Sequence, residues 1–354
     1  MKKIAIRLDT GQSIGLGHMI RCLALADECS LISNSKIIFI CRNKWEGMIP
    51  YPVISIKKPY ITNEKIYEFP SIIDEIDEVS EIIAQENIDC LIVDHYGAKD
   101  DYFRKLKNRV PYLVCIDDGL QRDVLADAVI NGNVYGADAQ YGNVPLKLIG
   151  SRYLLMRKEF RNVSTRQNNQ TIKEIYITSG GADPCEFCCK ISDALIKNFS
   201  TLRIHVIAGC NFTRSYIKKL QEKNLVIHQN ANMKECMRNA DFFISAAGST
   251  LYELASCGVP SVCYTLASDQ RLLAEYMNRK ETTCAAGDFE AFNETQFCRQ
   301  CSILFSDKEK RDNMSKNGQR LVDGYGASRT AEKILQLCGA KIPMVVKNGE
   351  TQKN

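Results

Sequence analysis

Short apolar runs rich in isoleucine and valine alternate along the chain with longer stretches whose apolar residues recur at helical spacing. The runs are Lys3–Leu8, Lys36–Cys41, Ile88–Val93 and Tyr112–Ile116, with weaker candidates at 128–130 and 147–149. Apolar on both faces of their alternation, they predict strands of a parallel sheet covered by helices on either side. After Tyr153 the pattern lapses, and 162–170 is polar enough to predict a linker or an exposed loop. A second series then begins, with runs at Glu174–Thr178, Leu202–Ile207, Leu225–His228, Phe242–Ser245 and Ser261–Tyr264. Two series predict two α/β domains, at 1–155 and 173–340, joined through 156–172. The tail 341–354 has neither periodicity nor apolar mass and is expected to be disordered.

Composition narrows the partners. The 354 residues, 45% of them hydrophobic, suffice for two cores at roughly 100–200 residues per domain. Lys+Arg 46 against Asp+Glu 42 leaves only +4, and no stretch interleaves basic and aromatic residues, so a nucleic acid partner is not expected. No apolar run approaches the roughly 18 residues of a membrane span, and Arg7 and Asp9 interrupt the first run too early for a signal-peptide core. A cytoplasmic protein follows as the expectation. The 16 cysteines then read as reduced thiols. The pairs Cys185/Cys188 and Cys298/Cys301 have metal-like spacing, but each falls in a helical pattern more than a hundred residues from the other, which favours buried thiols over zinc.

Chemistry concentrates where strands give way to helices. Ile14-Gly-Leu-Gly-His18 follows the first strand. Gly15 and Gly17 let backbone approach a ligand, and the helix that opens there aims unpaired N–H groups into the same crevice that His18 faces. Val93-Asp-His-Tyr-Gly97 ends another strand, so Asp94, His95 and Tyr96 are expected to face that crevice too, and Asp117 and Asp118 end a third. In the second half, Gly180 and Gly181 precede a helix expected to start near Pro184 and suit close approach of phosphate oxygens. Ala246-Ala-Gly-Ser-Thr-Leu-Tyr-Glu253 sets a small-residue loop and two hydroxyls at a helix start, with the Glu253 carboxylate one turn on, placed to accept from ribose hydroxyls. Neither glycine loop carries the Gly-Lys-Ser/Thr element of a triphosphate loop, and the full dinucleotide fingerprint is absent, which disfavours NAD.

The blocks 14–22, 93–97, 116–118, 154–160, 179–184, 246–250 and 266–270, in this order, resemble the UDP-sugar hydrolases of pseudaminic acid biosynthesis. The resemblance covers about residues 3–335. It implies a glycosyltransferase-B type fold, two Rossmann-like domains facing a cleft, with nucleotide held mainly by the second. The implied reaction is removal of UDP from UDP-2,4-diacetamido-2,4,6-trideoxy-β-L-altropyranose by water; because helix N-termini can neutralise the departing diphosphate, a metal is optional, and no cofactor is expected. The family's proposed catalytic histidine falls on His18; the residue chemistry beside it puts Tyr96 and Asp94 in place to position sugar or water. Diphosphate and ribose roles fall on Gly248, Ser249, Thr250 and Glu253, and further substrate contacts on Arg21, His95, Asp269 and Gln270. Cys185-Glu-Phe-Cys-Cys189 departs from the family's pattern, where a polar residue such as Asn is expected.

The residue chemistry supplies what such a reaction needs. A departing diphosphate requires charge neutralisation more than protonation, which helix N-termini provide. A neutral histidine is suited to take a proton from the attacking water, predicting C–O cleavage with inversion. The alternatives left open are a transferase of the same architecture, in which His18 deprotonates an acceptor hydroxyl, a UDP-sugar 2-epimerase with hydrolytic activity, and a non-catalytic nucleotide-sugar sensor or scaffold. Transient contact with other enzymes of the pathway is a further expectation.

Overall fold

The computed structural model describes residues 1–9, 16–42, 49–57, 71–183 and 185–341. Gly15, Pro184 and the tail beyond 341 lie outside the described residues.

The first half contains β1 (Lys3–Leu8), α1 (Gly17–Ser33), β2 (Lys36–Cys41), β3 (Val53–Ser55), α2 (Ile76–Glu86), β4 (Cys90–Asp94), α3 (Asp100–Leu106), β5 (Tyr112–Ile116), β6 (Gln121–Arg122), β7 (Ala128–Asn131), β8 (Gln140–Tyr141) and β9 (Leu146–Ile149). Seven of these strands form a parallel sheet in the order β3-β2-β1-β4-β5-β7-β9. The second half runs β10 (Glu174–Thr178), α4 (Phe187–Asn198), β11 (Arg203–Ala208), α5 (Arg214–Gln221), β12 (Val226–Gln229), α6 (Met233–Asn239), β13 (Phe242–Ala246), α7 (Thr250–Cys257), β14 (Ser261–Thr265), α8 (Arg271–Arg279) and β15 (Cys284–Asp288). Three helices follow, α9 (Glu294–Ser306), α10 (Lys308–Leu321) and α11 (Gly326–Leu337). Its sheet, β12-β11-β10-β13-β14-β15, is also all parallel.

Both sheets repeat the doubly wound order, in which the third, second and first strands precede the fourth, fifth and sixth. That order reverses between β1 and β4 in one sheet and between β10 and β13 in the other, and a crevice opens beyond the strand ends at each reversal. The central strands of each sheet are buried on both faces. Ile4, Ile6 and Ile92 pack under α1, while Ala5, Leu91 and Val93 pack under α2 and α3. In the second sheet Ile175, Ile177 and Val206 face α4, and Tyr176, Phe243 and Cys263 face α7.

Two segments differ from the sequence-based expectation. Met156 and Phe160, in the stretch read as linker, are buried in the second domain's core. The polar residues that follow are spent on helix ends. Arg166 donates to the carbonyls of Met237 (3.1 Å) and Ala240 at the end of α6, and Asn168 donates to Asp312 (2.9 Å) and Ser315 (2.8 Å) of α10. The final helix, placed by its position with the second domain, crosses back. Ala327, Ala331, Ile334, Leu335 and Cys338 recur along one face of α11, which seals the first domain's core against α1.

Candidate functional site

The loops at the two reversal points face one another across a cleft of about 1100 Å³, slightly above the ~300–1,000 Å³ common for small-molecule sites. One wall comes from the first domain and includes Gly17, His18, Arg21, Tyr96, Asp118 and Asn133. The other includes Gly248, Ser249, Tyr252, Glu253, Asp269 and Gln270.

His18 is the second residue of α1, in the turn whose N–H groups have no intrahelical partner. Its Nδ1 lies 2.6 Å from Asp94 Oδ1. Arg21, one turn along α1, grips the same carboxylate through Nε to Oδ2 (2.7 Å) and Nη2 to Oδ1 (2.6 Å), and Cys22 Sγ adds a contact to Oδ2 at 3.2 Å. Burial alone would raise the Asp94 carboxyl. The Arg21 guanidinium and His18 overcome that and hold it well below the usual carboxylate range. An ionised Asp94 can only accept, so His18 carries its proton on Nδ1 and keeps Nε2 as the basic nitrogen. Asp94 itself is buried behind the histidine, with its side chain 1% exposed, rather than facing the cleft as its place at the end of β4 suggested.

Arg21 spans two carboxylates. Its Nη1 donates to both oxygens of Asp118, at 2.8 and 2.9 Å. Asp118 also accepts from Tyr96 OH (2.9 Å) and Asn133 Nδ2 (2.8 Å). Burial opposes its ionisation, but Arg21 prevails and lowers its pKa. The Tyr96 phenol, pushed up by burial and by Asp118, stays protonated, and its ring meets that of His18 edge to face at 4.6 Å.

His95 turns the other way, as alternation past the strand end requires. Its Nδ1 accepts from Gly97 N–H at 2.8 Å, and Nε2 lies 3.2 Å from Asp9 Oδ2. Asp9 belongs to a buried ionic cluster at the end of β1, where Arg7 bonds both Asp9 (2.7 and 2.8 Å) and Glu75 (2.6 and 2.7 Å), and Arg42 closes on Glu75 at 2.8 Å. Burial lowers the pKa of His95 and favours the neutral ring. Its imidazole therefore ties β4 to β1, and His95 is at the same time among the residues that line the cleft.

In the second domain α7 opens at Thr250 with Ser249 as its N-cap, whose side chain makes no capping hydrogen bond, and the helix start is presented to the cleft at Gly248 and Ser249. Thr250 falls outside the cleft wall. Glu253 Oε1 accepts from Arg157 Nη2 at 2.7 Å, and burial raises its pKa against that pairing. Gln270 Oε1 accepts from Leu266 N–H at 2.9 Å, which fixes the loop bearing Asp269.

Gly180 and Gly181 also lie off the wall. Helix α4 starts at Phe187, and Asp183 already caps it through the N–H groups of Phe187 (2.7 Å) and Cys188 (2.8 Å), which removes the donors expected to meet phosphate there. Gly209 presses on this loop so closely that a Cβ would stand 2.2 Å from Gly180 O. Cys188 and Cys301 are buried in the second domain's core, and among the described residues no group of three or more His, Cys, Asp or Glu side chains is set to hold a metal ion.

Sequence reading missed Asn133, Tyr252 and Arg157. Asn133 had a usable signal, because it follows β7 just as Tyr96 follows β4, but that strand is a short run and drew little weight. Tyr252 lies inside the 246–253 motif, but an aromatic on a helix carries no sequence signal that its hydroxyl reaches the other domain.

Two doubly wound domains facing a cleft define a fold of glycosyltransferase-B type. The chain superposes on the crystal structure of Acinetobacter baumannii MurG with a TM-score of 0.69 at 13% identity, over 95% of this chain and 100% of that one. No protein-family model matches the chain. In sequence it is 28% identical over 295 residues to the UDP-2,4-diacetamido-2,4,6-trideoxy-β-L-altropyranose hydrolase of Campylobacter jejuni, covering 78% of this chain and 97% of that protein. It is 27% identical over 278 residues to an uncharacterized protein of Methanocaldococcus jannaschii, covering 73% of this chain and 55% of that protein, so the match spans about half the length of that relative. Among the described residues no helix is long and apolar enough to cross a membrane.

Proposed function

We propose that this chain is a UDP-sugar enzyme, and more specifically a hydrolase that releases UDP from UDP-2,4-diacetamido-2,4,6-trideoxy-β-L-altropyranose. The observation that carries the reading is His18, on the cleft wall opposite the start of α7 and backed at 2.6 Å by the buried Asp94. The Campylobacter relative's activity supports the choice of substrate. The diphosphate lies at Gly248 and Ser249, where the α7 N-terminus offsets its charge, and the sugar extends toward Tyr96 and Asp118. Water attacks the anomeric carbon from the His18 side. As the new C–O bond forms and the bond to the diphosphate oxygen breaks, His18 Nε2 takes the water proton, and Asp94 stabilises the resulting imidazolium through Nδ1–H. A single displacement of this kind inverts the anomeric centre.

Incubation with this UDP-sugar in ¹⁸O-water, followed by NMR and mass spectrometry, tests substrate, reaction and bond together. UDP release with label in the sugar is the expected result. Label in UDP would mean attack at phosphorus and would overturn the mechanism. UDP binding without consumption would favour a transferase that awaits an acceptor, and a product inverted at C2 would favour an epimerase.

A further inference from the structure

The two walls of the cleft are joined by a chain of hydrogen bonds that ends on the histidine. Tyr252 lies in the first turn of α7, its N–H bonded to Ser249 O at 3.0 Å. Its hydroxyl crosses to the other domain, donating to Asn133 Oδ1 (3.0 Å) and accepting from Val134 N–H (2.9 Å). Asn133 Nδ2 donates to Asp118 Oδ1 (2.8 Å), Asp118 receives the Arg21 fork, and Arg21 holds Asp94 against His18. Tyr252 and Asp94 are both buried.

Each link has one workable direction. Two ionised carboxylates can only accept and Arg21 can only donate, so the Asn133 amide must present its nitrogen to Asp118 and its oxygen to the tyrosine. Val134 N–H already occupies one acceptor site of that hydroxyl, which leaves its proton for Asn133. A shift of Tyr252 therefore cannot be absorbed by flipping a group. A shift that keeps the bond pulls on Asn133, whose Nδ2 donates to Asn131 Oδ1 (3.1 Å) as well as to Asp118, and through Asp118 on the Arg21 clamp.

We propose that Tyr252 and Asn133 are positioning residues through which nucleotide at the α7 N-terminus sets the orientation of the His18–Asp94 pair. The proposal rests on the nucleotide assignment made above and adds to it a coupling between the domains. Water attack is then favoured only when the leaving group is seated, because the turn that meets the diphosphate also carries the first link of the relay.

The test uses the full chain labelled with ¹⁵N-histidine, tractable because there are only four histidines, His18, His95, His205 and His228. His18→Gln assigns the His18 ring signals, and UDP is the titrant, with its binding followed separately by calorimetry. In the unaltered chain UDP should shift the His18 ring signals. Tyr252→Phe keeps the buried ring and loses only the hydroxyl, so it should bind UDP within about threefold while losing at least half of that shift. With substrate, its kcat should fall at least tenfold with little change in KM. Asn133→Asp retains the acceptor for Tyr252 but sets a carboxylate against Asp118, and should likewise reduce the shift. If UDP binds and the His18 shift in Tyr252→Phe equals that of the unaltered chain, or is absent from both, the relay is overturned and the nucleotide assignment stands. If UDP does not bind the unaltered chain, the nucleotide assignment fails and the relay with it.

Discussion

Replacing Asp94 by asparagine preserves shape and removes one charge, so its consequences follow from the bonds around that side chain. Oδ1 accepts from His18 Nδ1 and Arg21 Nη2, both at 2.6 Å, and Oδ2 accepts from Arg21 Nε at 2.7 Å. An amide has one acceptor where the carboxylate had two. With its oxygen toward His18, its NH₂ opposes Arg21 Nε–H. Turned over, its NH₂ faces both Arg21 Nη2 and His18 Nδ1, which forces the histidine proton onto Nε2 and removes the base from the cleft. Neither orientation leaves a negative charge to stabilise an imidazolium. General-base catalysis by a positioned side chain contributes about 10²–10⁴-fold, or about 2.7–5.4 kcal/mol at 1.36 kcal/mol per decade. We expect Asp94→Asn to lower kcat by that factor, with KM changed less than fivefold. Breaking a buried ion pair from one side also costs about 3–5 kcal/mol of stability, discounted here because Arg21 retains Asp118. Steady-state kinetics at a temperature where circular dichroism shows the variant folded separates the two effects. His18→Gln and the double variant complete a cycle in which the second change should add little to the first. A fall in kcat of less than threefold, or losses that multiply, would refute the view that the two residues act as one base.

Acid should destabilise the fold through the clamp. Asp118 has a folded pKa below its unfolded value, so its contribution is present above the ordinary carboxylate pKa of about 3.9 and is lost as pH falls toward the folded value. The thermal midpoint of Asp118→Asn should accordingly drop less between pH 5 and pH 3 than that of the unaltered chain. A second pH effect comes from the far face of the other sheet, where His205 Nδ1 and His228 Nε2 meet at 2.8 Å and His205 Nε2 bonds Glu174 at 2.6 Å. Burial and the neighbouring ring lower the pKa of His228, so the unfolded chain binds more protons there below about pH 6.5. Stability should fall from pH 7.5 to pH 5.5, and less steeply in His228→Gln when melting is followed by calorimetry. The return of the last helix is testable by packing. Leu335→Ala should cost about 2–5 kcal/mol in denaturant unfolding. In Gly326→Ala the new Cβ would stand 2.2 Å from Leu154 O, and about 1–3 kcal/mol should be lost as the helix start is pushed off.

The strands were legible because burial on both faces leaves a continuous apolar run, and β1, β2 and β5 begin and end where that run does. β15 was not, since Cys-Ala-Ala-Gly-Asp has no branched residue and owes its conformation to pairing with β14. The assignment of α11 failed for a related reason. Periodicity reports that a helix has an apolar face, and which core receives that face depends on where the chain has travelled in three dimensions. In the site, the same rule that drew attention to polar residues past strand ends could not say which way each would turn. It grouped Asp94, His95 and Tyr96 as one set facing the ligand, whereas His95 lines the cleft while its Nε2 reaches Asp9 of the Arg7 cluster, and burial keeps Asp94 behind His18. The separation has a chemical consequence. A carboxylate open to the cleft would compete for substrate hydroxyls and for water, while one enclosed by Arg21 and Cys22 has its oxygens committed to Arg21 and to His18 Nδ1. Depth below the surface therefore divides the labour among these residues, and depth is the quantity a linear pattern of residue types does not carry.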